Sequence, residues 1–111
     1  MCELFGLSSS APVGMTYALH EFATHGGLVH RNKSGWGIAY RQDRDAILVK
    51  EPSPAFDSVW VRFIESHPIG TETAIAHVRY ATAGEPSYEN THPFTRALGG
   101  CNHVFAHNGT L

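Results

Sequence analysis

Met1-Cys2-Glu3-Leu4-Phe5-Gly6-Leu7 opens the chain with a cysteine directly behind the initiator methionine and a short, partly apolar run after it. Glu3 to Leu7 reads as a first strand that turns at Ser8, Ser9 and Ser10. Cys2 is small enough at the second position to permit removal of Met1, and we expect that removal. It leaves one residue carrying both a thiol and a free α-amino group. An unperturbed α-amino group has a pKa of about 7.7–8.0, so a useful fraction is neutral near pH 7. It can accept the thiol proton, directly or through a water. A retained Met1 would acylate that base.

Working outward, Ser9 or Ser10 can cap a helix with Pro12 in its first turn. Met15, Leu19, Phe22 and Ala23 then recur at helical spacing until Gly26-Gly27. Leu28 to Ser34 is polar and basic and reads as a loop. Gly35 to Tyr40 and Ala46 to Lys50 read as the two arms of a hairpin, with its turn at Gln42 to Asp45. After Pro52 and Pro54, the residues Phe56, Val59, Trp60, Phe63 and Ile64 mark a second amphipathic helix that ends near His67-Pro68. Thr73 to Arg79 is a strand, Ala83 to Arg96 is a loop, and Val104 to His107 is a last strand running into the turn Asn108-Gly109. This order predicts an α+β domain in which helices layer on a sheet. Trp36 reads as a core residue.

The 111 residues suit one domain or a piece of one. At 42% hydrophobic and 16% charged, the chain can build a core and is not disordered. A formal net charge of -2 gives no basic surplus for nucleic acid. No apolar run has membrane-spanning length and the start lacks a signal-peptide layout, so we expect a cytoplasmic protein with no membrane partner. Cys2 and Cys101 are far apart in sequence and show no metal spacing, so both should be free thiols, Cys101 a buried one. The eight histidines lack acidic or cysteine partners at ligand spacing. They read as hydrogen-bonded or surface groups, and neither a metal nor a cofactor is expected.

A cysteine that attacks a carbonyl needs donors for the developing oxyanion, and a side-chain amide with a backbone N–H suits that task. Asn108 offers the first and Gly109 the second. By itself an Asn-Gly pair is also a common hairpin turn. An amino-acid substrate needs a carboxylate anchor, for which arginine's planar fork is best suited. Arg79 stands at a strand end, where such an anchor or an ordinary surface arginine could sit.

Six segments then occur in register: Met1-Cys-Glu-Leu-Phe-Gly6, Ser34-Gly-Trp-Gly-Ile-Ala39, His77-Val-Arg-Tyr-Ala-Thr82, Gly84-Glu-Pro-Ser87, Asn90-Thr-His-Pro-Phe94 and Phe105-Ala-His-Asn-Gly109. Together they resemble the class II glutamine amidotransferases, which are N-terminal nucleophile hydrolases, and are most similar to stand-alone bacterial amidotransferase-like proteins. The resemblance implies a four-layer αββα sandwich, of which residues 1–111 would be the N-terminal portion. It implies that Cys2 attacks the side-chain amide of glutamine and releases ammonia through a γ-glutamyl thioester.

It further implies that Arg79 holds the substrate α-carboxylate, that Tyr80 and Thr82 line the same wall, and that His92 lies near the pocket. Asn108 and Gly109 would form the oxyanion hole. Arg31 falls where many members carry an Arg-Gly pair, but residue 32 is asparagine here. The expected substrate is glutamine or a γ-glutamyl compound, with a partner protein accepting the ammonia. The alternatives are a γ-glutamyl peptide hydrolase with the same nucleophile, or an inactive truncated domain acting only in binding.

Overall fold

The computed structural model describes residues 2–14, 16–28, 32–67, 70–81 and 84–109. Among the described residues, six strands and two α-helices follow one another as β1 (Glu3–Gly14), α1 (Thr16–Thr24), β2 (Gly35–Gln42), β3 (Asp45–Glu51), α2 (Val59–Ser66), β4 (Gly70–Arg79), β5 (Phe94–Leu98) and β6 (Cys101–Phe105). A single 3-10 turn at Ala55–Asp57 leads into α2. The strands make a four-stranded antiparallel sheet in the order β1-β4-β2-β3 and a separate β5-β6 hairpin. The fold is therefore mixed α+β, as expected.

Alternation along the strands sorts the side chains between two faces. Phe5 pairs with Ala76 and Ile38 with Ala76, so these three share one face. Trp36, Ile38, Ala74, Ala76 and Val78 are all buried there against Leu19 and Ala23 of α1 and Val61 and Ile64 of α2. Trp36 is core, as read, and its indole Nε1 donates to Glu51 Oε1 at 2.8 Å. Ser58 caps α2 by accepting from the Val61 N–H at 3.2 Å, and its hydroxyl donates to the same Glu51 oxygen.

The opposite face carries Gly37, Ala39, His77 and Arg79, and the hairpin β5-β6 lies across it. Gly37 permits the approach: a Cβ built there would stand 2.0 Å from the His92 carbonyl oxygen. Lys50, opposite Gly37 in the β2-β3 ladder, donates from Nζ to the carbonyls of Thr91 at 2.8 Å and Pro93 at 3.3 Å. Helices, sheet and hairpin thus stack in three layers, with the site segments between the second and third.

Four readings are corrected. The first strand continues to Gly14, so neither Ser9 nor Ser10 caps a helix. It pairs with β4 through a wide irregularity between Ser8 and Val13. Pro12 is tolerated because β1 is an edge strand, where a missing N–H breaks no ladder, and Ser9 Oγ accepts instead from the Ala11 N–H at 3.4 Å. The supposed loop to Arg96 already contains β5, and the last strand starts at Cys101 and ends at Phe105. The helix at Val59–Ser66 is present but buries Val61 and Ile64, while Val59, Trp60 and Phe63 are exposed. Cys101 is half-buried, with Arg41 Nη2 2.9 Å from its sulfur. Met15, in the first helical stripe, lies outside the described residues. No helix of the described residues is long and apolar enough to cross a membrane.

Candidate functional site

The C-terminal end of β4 holds Arg79, with Tyr80 next in the chain and Cys2 beside it. Glu3 of β1 pairs with Val78, which brings Cys2 to the level where β4 runs out. There the Tyr80 backbone N–H donates to Cys2 Sγ at 3.2 Å, and the thiol lies 3.5 Å from the Tyr80 carbonyl. The next residue of the strand is anchored on the helix side: Glu3 takes His25 Nδ1 at 2.8 Å and Asn32 Nδ2 at 3.0 Å on its two carboxylate oxygens. Asn32 is fully buried. The tip that carries the thiol is thus pinned to β4 and to the segment after α1.

Arg79 is buried and donates from Nη1 to the Glu85 carbonyl at 3.1 Å. The same carbonyl accepts from Asn90 Nδ2 at 3.1 Å, which shapes the loop around the guanidinium. Ser34 closes the other side: its N–H donates to the Arg79 carbonyl at 2.9 Å and its hydroxyl accepts from the Ala81 N–H at 2.9 Å.

Two residues earlier on the same face, His77 begins a stack of rings. His92 lies parallel to it at 4.3 Å between centroids, and His107 meets His92 edge-on at 4.7 Å. The His107 N–H donates to His92 Nδ1 at 3.2 Å. Nε2 of His77 stands 3.1 Å from Oδ1 of Asn108. Burial pushes both His77 and His92 down to about 4, with like charges around His92 adding to the effect and the bond to Asn108 opposing it at His77. Both rings are neutral at pH 7. Among the described residues, no group of three or more His, Cys, Asp or Glu side chains could hold a metal ion.

Of the residues singled out by sequence, Cys2, Arg79 and Tyr80 meet at the strand end, and His92 and Asn108 join through the ring stack. Gly109 follows in a left-handed conformation with φ 84°, which glycine adopts at least cost. Thr82 and Arg31 lie outside the described residues. Read from sequence, His77 and His107 have no site role of their own, though both stand in the motifs. The alternation of His77 and Arg79 was the available signal for one shared face. A cleft of about 290 Å³ between β6 and the sheet, lined by Tyr40, Arg41, Ile75 and Cys101, includes none of the candidates.

Comparison with known proteins identifies the family. Residues 1–111 match the sequence model of the family described as class-II glutamine amidotransferases. YafJ of Escherichia coli (strain K12), named as a glutamine amidotransferase, is 39% identical over the whole of this chain and 44% of its own length. The amidophosphoribosyltransferase of Mycobacterium leprae (strain TN) is 31% identical over 99% of this chain and 19% of its own. A crystal structure described as a predicted glutamine amidotransferase from Pseudomonas aeruginosa PA01 superposes with a TM-score of 0.60 at 35% identity, over 99% of this chain and 44% of that one. The chain spans less than half the length of these relatives.

Proposed function

Given that this chain belongs to the class II glutamine amidotransferases, we propose that the protein containing it hydrolyses the side-chain amide of glutamine with Cys2 as nucleophile. The observation that carries the reading is the meeting of Cys2 with the end of β4, where Arg79 lies buried and Tyr80 donates to the sulfur.

In this reading Met1 is removed and the α-amino group of Cys2 accepts the thiol proton. The sulfur attacks the amide carbon, and the carbonyl oxygen gains the displaced electron pair. The Asn108 side-chain nitrogen and the Gly109 N–H hold that oxygen. As the intermediate collapses, the C–N bond breaks and the leaving nitrogen takes the proton from the α-amine, departing as ammonia. Water then attacks the γ-glutamyl thioester, returns the thiol and yields glutamate. Arg79 pairs with the substrate α-carboxylate, and Tyr80 and His92 border the same space. Because burial holds His77 and His92 near 4, they are poor bases at neutral pH, which supports giving the proton to the α-amine.

Ammonia released in this way passes to an acceptor protein or domain. The experiment is covalent trapping with a glutamine-analogue electrophile followed by peptide mapping. One adduct on Cys2, with Met1 absent, is expected; labelling of Cys101 instead would overturn the assignment.

A further inference from the structure

An asparagine amide has two unlike ends, and an oxyanion hole tolerates only one of them. With Nδ2 toward the substrate, it donates to the developing negative oxygen; turned over, it presents a lone pair and repels it. Asn108 is exposed and stands at a turn, and among the described residues no neighbour in its own segment chooses between the two. The choice comes from β4. His77 is 1% exposed, and its Nε2 faces Oδ1 of Asn108 at 3.1 Å.

The ring's own proton settles the direction of that bond. A neutral imidazole carries one N–H. Nδ1 of His77 is buried and makes no hydrogen bond among the described residues; the His107 backbone, which also acts on the ring, lies outside hydrogen-bond geometry to that nitrogen. A proton there would be a buried unsatisfied donor, costing roughly 1–3 kcal/mol. On Nε2 it meets the Asn108 oxygen. The ring plane is set in turn by stacking on His92, whose Nδ1 is occupied by the His107 N–H at 3.2 Å. His107 directly precedes Asn108, so the group that holds His92 and the residue that His77 holds share one short segment.

We propose that His77 is a positioning residue: its Nε2–H holds Oδ1 of Asn108 and so aims Nδ2 at the oxyanion. This rests on the reading of Asn108 given above. Burial of His77, which lowers its affinity for a second proton, keeps it a single-proton donor across the neutral range.

The test compares glutamine hydrolysis by His77→Leu, His77→Gln, Asn108→Ala and the double variant His77→Leu/Asn108→Ala in the full-length protein. Loss of one oxyanion donor costs about 10²–10³ in kcat, and a misaimed donor should cost a part of that. His77→Leu should lower kcat roughly ten- to hundredfold with KM for glutamine within about twofold. His77→Gln, whose amide can still donate, should recover most of kcat. On the Asn108→Ala background, His77→Leu should cost nothing further. Multiplying losses, or a glutamine variant as poor as the leucine one, would overturn the positioning role alone. Wild-type kcat in Asn108→Ala would sink the oxyanion hole itself and this role with it. Independently of activity, nitrogen-15 spectra of the unmodified protein should show the His77 proton on Nε2; finding it on Nδ1 would overturn the proposal even if the leucine variant fails to fold.

Discussion

Tyr80 donates its backbone N–H to the sulfur of Cys2 at 3.2 Å, joining the residue just before β1 to the residue just after β4. The donor is main chain and not the tyrosine ring, so the contact survives a change of side chain at position 80 other than to proline, which has no N–H. A substitution at Cys2 therefore tests the nucleophile with little disturbance to the strand pairing of Glu3 with Val78.

Cys2→Ser should fold with an unchanged unfolding midpoint and form no thioester. Serine is the poorer nucleophile near neutral pH because its hydroxyl is scarcely ionised, whereas a cysteine is already a few per cent thiolate. Glutamine turnover should fall to background, as read by ammonia release. Turnover at the wild-type rate would remove Cys2 from the mechanism.

Arg79→Lys replaces a bidentate fork with a point charge. Hydrogen bonds to charged groups are worth about 1.5–3 kcal/mol, so the expected rise in KM for glutamine is roughly ten- to hundredfold, with kcat reduced far less. The bond from Nη1 to the Glu85 carbonyl is lost as well. A melting curve run alongside separates that structural loss from the binding loss. An unchanged KM would take Arg79 out of the substrate site.

Gly37→Ala should destabilise the protein. The added Cβ would meet the His92 carbonyl oxygen at 2.0 Å and the Pro93 ring at 2.8 Å, so the hairpin side must move away from the sheet. Overpacking of this kind costs typically about 1–3 kcal/mol. Gly6→Ala is the control, since nothing lies within 4 Å of a Cβ placed there. Urea unfolding should show a lowered midpoint for position 37 and a nearly unchanged one for position 6.

Much of this architecture was legible in the sequence where one face alone is buried. The hairpin of β2 and β3 and the strand β4 follow from alternation, and Asn108-Gly109 announces its own turn. β5 was not legible, because Thr95 to Leu98 is exposed and has no buried face to impose a period. Residues 8–14 extend β1 as an edge, where serines and Pro12 are admissible and no apolar rhythm is required. In α2 the apolar residues span a wide arc of the helix, so spacing identified a helix but could not tell that Val61 and Ile64 face inward. At the site, His77 and Arg79 share a face by simple alternation. The bond from His77 to Asn108 joins residues 31 apart and depends on how the hairpin crosses the sheet, which no local pattern encodes.

Stability should fall on mild acidification because of the same histidines. His77 and His92 are both pushed down to about 4 in the fold, against an ordinary value of about 6.5 in an unfolded chain. Between those values the unfolded chain binds more protons than the native one, so unfolding free energy decreases as pH falls. The contribution is fully present above about 6.5 and is lost progressively toward 4. Urea midpoints measured from pH 7.5 down to 4.5 should therefore decline, with most of the change below pH 6.5. Carboxylates with lowered pKa values would give a decline in the same direction, so the assignment needs a second measurement. Proton NMR titration of the two rings should show no protonation until well below pH 6. If either ring titrates near its ordinary value, its burial against the hairpin is not what this fold requires, and the stacked arrangement around Asn108 fails with it.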